Sequence, residues 1–268
     1  MWENLKRPKV MGIVNVTPDS FSDGGRHDST AAAVAHGRKL ISDGADLLDI
    51  GGESTRPGAA AVSVEAEIAR VRPVIEGLAG ADVPLSIDTM KPAVARAAIA
   101  AGATIWNDVA ALTAPGAPET AAELGCDVVL MHMKGEPRTM QDDPRYDDVV
   151  GEVEAFLLAR AEAAMAAGVA HDRIWLDPGI GFGKTVDHNL ALLAALPRLV
   201  ALGYPVLLGA SRKRFIATLD PLGKDADARL GGSLAAALAG AAAGVAAVRV
   251  HDVRETVQAL RVQAAIGG

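Results

Sequence analysis

The sequence predicts a (β/α)8 TIM barrel, a single domain of eight parallel strands with surrounding helices. Three observations predict it. Short apolar runs recur at residues 10–14, 46–50, 84–87, 104–106, 127–131, 174–176, 205–208 and 247–250. Continuous apolar runs suit parallel strands buried on both faces. Helix-like stretches separate them. The length of 268 residues suits one such barrel, for which about 250 residues is typical. A doubly wound open sheet is the alternative that length disfavours.

The elements follow in order. Residues 31–42 read as a helix that stops at Gly44 before the second strand. Ile68, Val71, Ile75 and Leu78 follow helical spacing, with Ser63 as the cap and Glu65 and Glu67 in the first turn. Pro92 follows the third strand closely and is tolerated only in a first turn. Residues 152–167 form a helix ending at Gly168, and Val253, Val257 and Leu260 put one stripe on a final helix. The uncharged stretch 234–248 is mostly alanine and glycine and too short for a membrane span of about 20 residues. It reads as a buried helix running into the eighth strand.

Composition narrows the function classes. Half the residues are apolar but only 3% are aromatic, so small and branched aliphatics build the core. The net charge of −7, without a basic run, argues against nucleic acid as a partner. The charged N-terminus has no signal core, so the expected setting is cytoplasmic, with no membrane partner. The lone Cys126 excludes an internal disulfide and reads as a buried structural residue.

In this fold, sites gather on the loops that leave the C-terminal ends of the strands. The polar residues there are Asn15, residues 51–56, Asp88, Asn107 with Asp108, His132, Asp177, residues 211–213, and Arg249 with His251. A purely structural barrel does not require this series. Asp88, Asn107 and Asp177 are acceptor-rich and suited to a flat heterocycle bearing N–H donors. Each alone reads equally well as a helix cap. His132 is the one soft ligand nearby, and no metal-ligand spacing is seen. Arg56, Lys213, Arg249 and His251, with Asn15 and Thr55, suit a pyrophosphate. Of Arg212 and Arg214, which flank Lys213, one reads as a solvated charge. The glycine-rich loops 15–25 and 51–58 are long enough to act as lids.

The motifs carry a resemblance. MGIVNVTPDSFSDGG at 11–25 and DIGGESTRPG at 49–58 resemble the two signatures of the dihydropteroate synthases. SIDT at 86–89, Asn107-Asp108, LMHM at 130–133, LDPGIGFGK at 176–184, SRK at 211–213 and RVHD at 249–252 follow in the order of that family. The resemblance implies condensation of 6-hydroxymethyl-7,8-dihydropterin pyrophosphate with p-aminobenzoate, giving 7,8-dihydropteroate and pyrophosphate. It implies pterin binding by Asp88, Asn107, Val109, Met131, Asp177, Phe182, Gly209 and Lys213. Pyrophosphate falls to Asn15, Thr55, Arg249 and His251, with Asn15 also holding Mg²⁺. The p-aminobenzoate pocket falls to Arg56, Pro57, Phe182 and Ser211. Asp88, Lys213, Arg249 and His251 are the expected catalytic groups, in a dissociative mechanism. A homodimer is the expected assembly.

Two departures stand out. The segment before the first signature is short, so an N-terminal hairpin of many members is expected to be reduced or missing. Arg214 stands where some members carry a serine that contacts p-aminobenzoate, which leaves sulfonamide sensitivity open. The competing readings are a methyltetrahydrofolate-dependent methyltransferase on the same barrel and a non-catalytic pterin-binding paralogue. The former has no use for a pyrophosphate site.

Overall fold

The computed structural model describes residues 6–16, 26–54, 61–135 and 139–267. Strands and helices alternate along these residues. The strands are β1 (Lys9–Asn15), β2 (Leu47–Gly51), β3 (Leu85–Asp88), β4 (Ile105–Asp108), β5 (Asp127–Met131), β6 (Ile174–Asp177), β7 (Leu207–Leu208) and β8 (Ala247–Val250). The helices are α1 (Arg26–Ser42), α2 (Val64–Leu78), α3 (Pro92–Ala100), α4 (Ala117–Leu124), α5 (Val149–Ala166), α6 (Val186–Ala194), α7 (Leu196–Val200), α8 (Arg214–Leu219), α9 (Leu230–Ala243) and α10 (Val253–Gly267).

The strands form one parallel sheet in the order β6-β5-β4-β3-β2-β1-β8-β7. A single parallel bridge, Leu176 to Val206, brings the two ends together. The Leu176 N–H also donates to the Pro205 carbonyl at 2.9 Å. The barrel expected from the sequence is the fold observed.

Two apolar clusters explain why a barrel forms. The larger lies between strands and helices and includes Leu48, Ile50, Ile87, Trp106, Leu130 and Val248. The smaller fills the barrel interior with Met11, Leu47, Ile105, Val129, Leu207 and Ala247, against which Trp175 packs. Each strand is therefore buried on both faces.

Side chains alternate along a strand, so residues two positions on face the same interior. From the interior cluster that step reaches Asp49, Asn107, Met131, Asp177, Gly209 and Arg249. The apolar plug thus passes into a layer of mostly polar residues at the C-terminal mouth. This one step in period two sets the position of the site.

The helices follow the sequence signals with adjustments at their ends. Ser63 caps α2, its Oγ accepting from the Ala66 N–H at 3.2 Å, and Pro92 opens α3. Helix α5 starts at Val149, not at 152, because Asp148 caps it by accepting from the N–H groups of Val150 and Gly151 at 3.2 and 3.1 Å. Helix α1 likewise starts at Arg26, earlier than 31. The apolar stretch after residue 230 is α9, closed by the left-handed Gly244 before β8. Among the described residues, no helix is long and apolar enough to cross a membrane. Cys126 is buried, and burial pushes its thiol up to about 11, so it stays protonated at neutral pH.

Candidate active site

The mouth of the barrel is organised around Arg249, which β8 points inward. Its Nε donates to Asp49 Oδ2 at 2.6 Å and one terminal nitrogen donates to Asp88 Oδ2 at 2.8 Å. Asp49 also accepts from Asn107 Nδ2 at 3.1 Å. One fully buried carboxylate on β2 therefore orients a cation from β8 and an amide from β4. Asp88 and Asn107 are register partners on adjacent strands.

Asp177 ends β6 and accepts the Gly179 N–H on Oδ1 at 2.7 Å. Gly209 lies directly beside Asp177: a Cβ there would stand 3.6 Å from Oδ2, an ordinary contact distance. Lys213 Nζ lies 4.0 Å above the centroid of the Phe182 ring, within cation–π range. Val109, Met131 and Phe182 pack into one apolar cluster with Met140, joined by Met90 and Met133. The sequence reading named the first three and missed the three methionines. A polar floor thus adjoins an apolar wall, as a flat heterocycle needs.

Electrostatics separate these groups. Burial pushes the Asp88 carboxyl up to about 7, while the Arg249 guanidinium pulls it down. Burial raises Asp177 to about 6, against the Gly179 N–H and the nearby Lys213 and Arg249 charges. Burial and Arg249 together lower Lys213 to about 8. Such perturbed groups concentrate at functional sites.

His251 stands at the same mouth, beside Ser211. Burial, Arg249 and Arg212 lower it to about 3, so the free site holds a neutral imidazole. Its Nδ1 lies 3.1 Å from Ser211 Oγ, which also accepts the His251 backbone N–H at 3.2 Å. The Ser211 hydroxyl is thus engaged with His251. Arg212 is held by Asp252 and Asp227, and Arg214 is exposed, so of these three residues Lys213 alone serves the mouth.

Asp108 braces the turn that follows β4 and is not a helix cap, since α4 starts at Ala117. It faces away from the interior and accepts from the N–H groups of Ala110 and Leu112, both at 2.8 Å. His132 is a neutral, buried support lowered to about 3, chiefly by burial. Asn15 ends β1, half-buried beside Gly51. Thr55, Arg56 and Pro57, with most of loops 15–25 and 51–58, lie outside the described residues. Among the described residues, no group of three or more His, Cys, Asp or Glu side chains is placed to hold a metal ion.

Sequence reasoning assigned no role to Asp49 or Lys184, although both stand inside the quoted motifs. The signal for Asp49 was its place two residues after Leu47, on the interior face.

Comparison with known proteins agrees with this geometry. Residues 11–251 match the family described as pterin binding enzyme. The chain is 51% identical over 260 residues to the dihydropteroate synthase of Escherichia coli strain K12, covering 97% of this chain and 92% of that one. It is 53% identical to the dihydropteroate synthase of Neisseria meningitidis serogroup C, covering 98% and 94%. Its fold superposes on Xanthomonas albilineans dihydropteroate synthase with 4-aminobenzoic acid, with a TM-score of 0.92, 57% identity, and 98% and 94% coverage. The same enzyme in complex with 7,8-dihydropteroate gives a TM-score of 0.89 at 54% identity, covering 99% and 95%. Identity of this order across nearly the whole of each chain leaves one conclusion: the chain belongs to the dihydropteroate synthase family of pterin-binding enzymes.

Proposed function

We propose that the chain, as one barrel domain, condenses 6-hydroxymethyl-7,8-dihydropterin pyrophosphate with p-aminobenzoate, releasing 7,8-dihydropteroate and pyrophosphate. The observation that carries the reading is the interior layer at the mouth. There the acceptors Asp88, Asn107 and Asp177 adjoin the cations Lys213 and Arg249 and the apolar wall of Val109, Met131 and Phe182.

Asp88, Asn107 and Asp177 accept from the amino and ring N–H groups of the pterin. Gly209 lies beside Asp177, and Lys213 donates across Phe182 to a ring acceptor. Arg249 keeps one terminal nitrogen for the diphosphate while Asp49 fixes its Nε. His251 and Thr55 donate to the same oxygens. A diphosphate beside His251 would raise its pKa and favour the charged form.

The pterin methylene C–O bond breaks first, and its electron pair leaves with the diphosphate. The cation left behind is delocalised into the pterin ring, and the Asp88 carboxylate beside it lowers its energy. Arg56, Pro57, Phe182 and Ser211 hold p-aminobenzoate, whose amine forms the new C–N bond and then loses a proton. No side-chain nucleophile is required.

Mg²⁺ fits this donor set. A hard cation that keeps waters and substrate phosphates needs few protein ligands, and the Asn15 amide oxygen at the end of β1 is a suitable one. When bound, Mg²⁺ would neutralise charge on the leaving diphosphate. Two copies of the chain form the working enzyme; the exposed Val262 and Ile266 on α10 support a paired surface.

A binding split tests the site. Calorimetry should show Asp177→Asn weakening a pterin ligand by about 1–3 kcal/mol while pyrophosphate binding is retained. Equal loss of both ligands would overturn the assignment of Asp177 to the pterin.

A further inference from the structure

Lys184 is 3% exposed, with its amine turned onto the backbone of the loop after β6. Its Nζ lies 2.9 Å from the carbonyl oxygens of Gly179 and Phe182, 3.2 Å from that of His132, and 2.9 Å from His132 Nδ1. Among the described residues its partners are three carbonyls and one imidazole, not a carboxylate. A buried amine whose hydrogen bonds all go to uncharged groups is costly, and burial pushes it down to about 7 against the pull of the nearby Asp177 charge. A cost of that kind indicates a task beyond filling space.

The loop it binds is unusual. Gly179, Gly181 and Gly183 have φ of +67°, +83° and +62°. The alternation turns successive carbonyls outward from the loop, where side chains meet them. Lys184 takes Gly179 and Phe182, Gln141 donates to Gly181 at 2.6 Å, and Tyr146 Oη donates to Gly183 at 2.8 Å. Asn189 Oδ1 accepts the Gly181 N–H at 2.7 Å. His132 is itself held edge-on by Phe156, with ring centroids 4.9 Å apart. From this braced loop Phe182 extends to carry Lys213 on its ring face.

We propose that Lys184 is a positioning residue: it ties the end of β5 to the loop after β6 and so holds the Phe182 ring beneath Lys213 and against the p-aminobenzoate site. This rests on the synthase reading above. The group acts through Phe182 and touches no substrate. Its removal therefore changes turnover only while Phe182 is present to be misplaced.

A double-mutant cycle tests this. Lys184→Met keeps the length and removes the donors. Its kcat/KM for p-aminobenzoate should fall by about tenfold or more in the wild-type background and by less than about twofold in Phe182→Ala. Lys184→Gln, which keeps donor hydrogens on a shorter stem, takes its place if the methionine variant does not fold. Equal losses in both backgrounds, or no loss in either, would overturn the proposal. Wild-type turnover is recorded first. If the wild type makes no dihydropteroate, the synthase reading falls; an active wild type with an unchanged Lys184 variant sinks the positioning role alone.

Discussion

Asp49 and Lys213 mark two ways in which a residue serves this site. Lys213 reaches the mouth itself, and burial beside Arg249 lowers it to about 8. Asp49 reaches only Arg249 and Asn107, and works by aiming them. Lys213 was legible in the sequence because a lysine just beyond an apolar run stands at a strand end. Asp49 was not, because a motif does not say which of its residues face a ligand and which face each other. The difference requires the strand register. Removing a donor aimed at developing charge costs on the order of 10²–10³ in rate, and Lys213→Ala should lose turnover on that scale in a steady-state assay. The pH profile follows from the same two environments. Asp177, raised to about 6 by burial, must be ionised to accept a pterin N–H, so kcat/KM falls as pH drops through that value. Lys213, lowered to about 8, must be protonated to donate, so kcat/KM falls as pH rises through that value. Asp88, raised to about 7, must be ionised for the same reason, so two carboxyls share the acid limb of the bell expected for the free enzyme, and Asp177→Asn should reduce that limb from two ionisations to one. An acid limb left unchanged by that substitution would refute the role of Asp177.

At the scale of elements, the loop after β6 holds the tightest glycine contact among the described residues. A Cβ at Gly179 would stand 1.9 Å from the His132 carbonyl oxygen, at a φ of +67° that side chains resist. Gly179→Ala should therefore cost on the order of 3 kcal/mol and lower Tm by roughly 10 °C. A thermal melt unchanged from wild type would show that the loop relaxes freely. The same scale shows where sequence reading loses resolution. The start of α5 lies earlier than apolar periodicity indicates, because a helix begins at its cap. Asp148 supplies that cap before the periodic pattern sets in. The apolar run places the seventh strand over 205–208, but it pairs as a two-residue ladder, Leu207 and Leu208. Pro205 has no N–H to donate, and Val206 reaches β6 through one bridge.

At the scale of the whole molecule, the barrel is sealed unevenly. Adjacent pairs such as β1 and β2 share five register partners, whereas β6 meets the segment before β7 at a single bridge. Local opening follows the weakest hydrogen-bonded seam. Hydrogen exchange should therefore be faster at the Leu176 N–H than at the amides of β1 and β2. Uniform protection would contradict a seam there. The barrel itself was legible because a strand buried on both faces leaves an unbroken apolar run, and the series repeats around the ring. The site was legible as a list of strand-end residues. What joins them, Arg249 set between Asp49 and Asp88 and Lys184 under the Phe182 loop, arises from contacts between residues up to 200 apart in sequence. No local pattern encodes such contacts.

The most direct measurement is turnover by the purified protein with Mg²⁺, 6-hydroxymethyl-7,8-dihydropterin pyrophosphate and p-aminobenzoate, following pyrophosphate and the pterin product together. Pyrophosphate release should require both substrates and equal the 7,8-dihydropteroate formed. Binding of the pterin substrate without release, or release without dihydropteroate, would contradict the synthase reading.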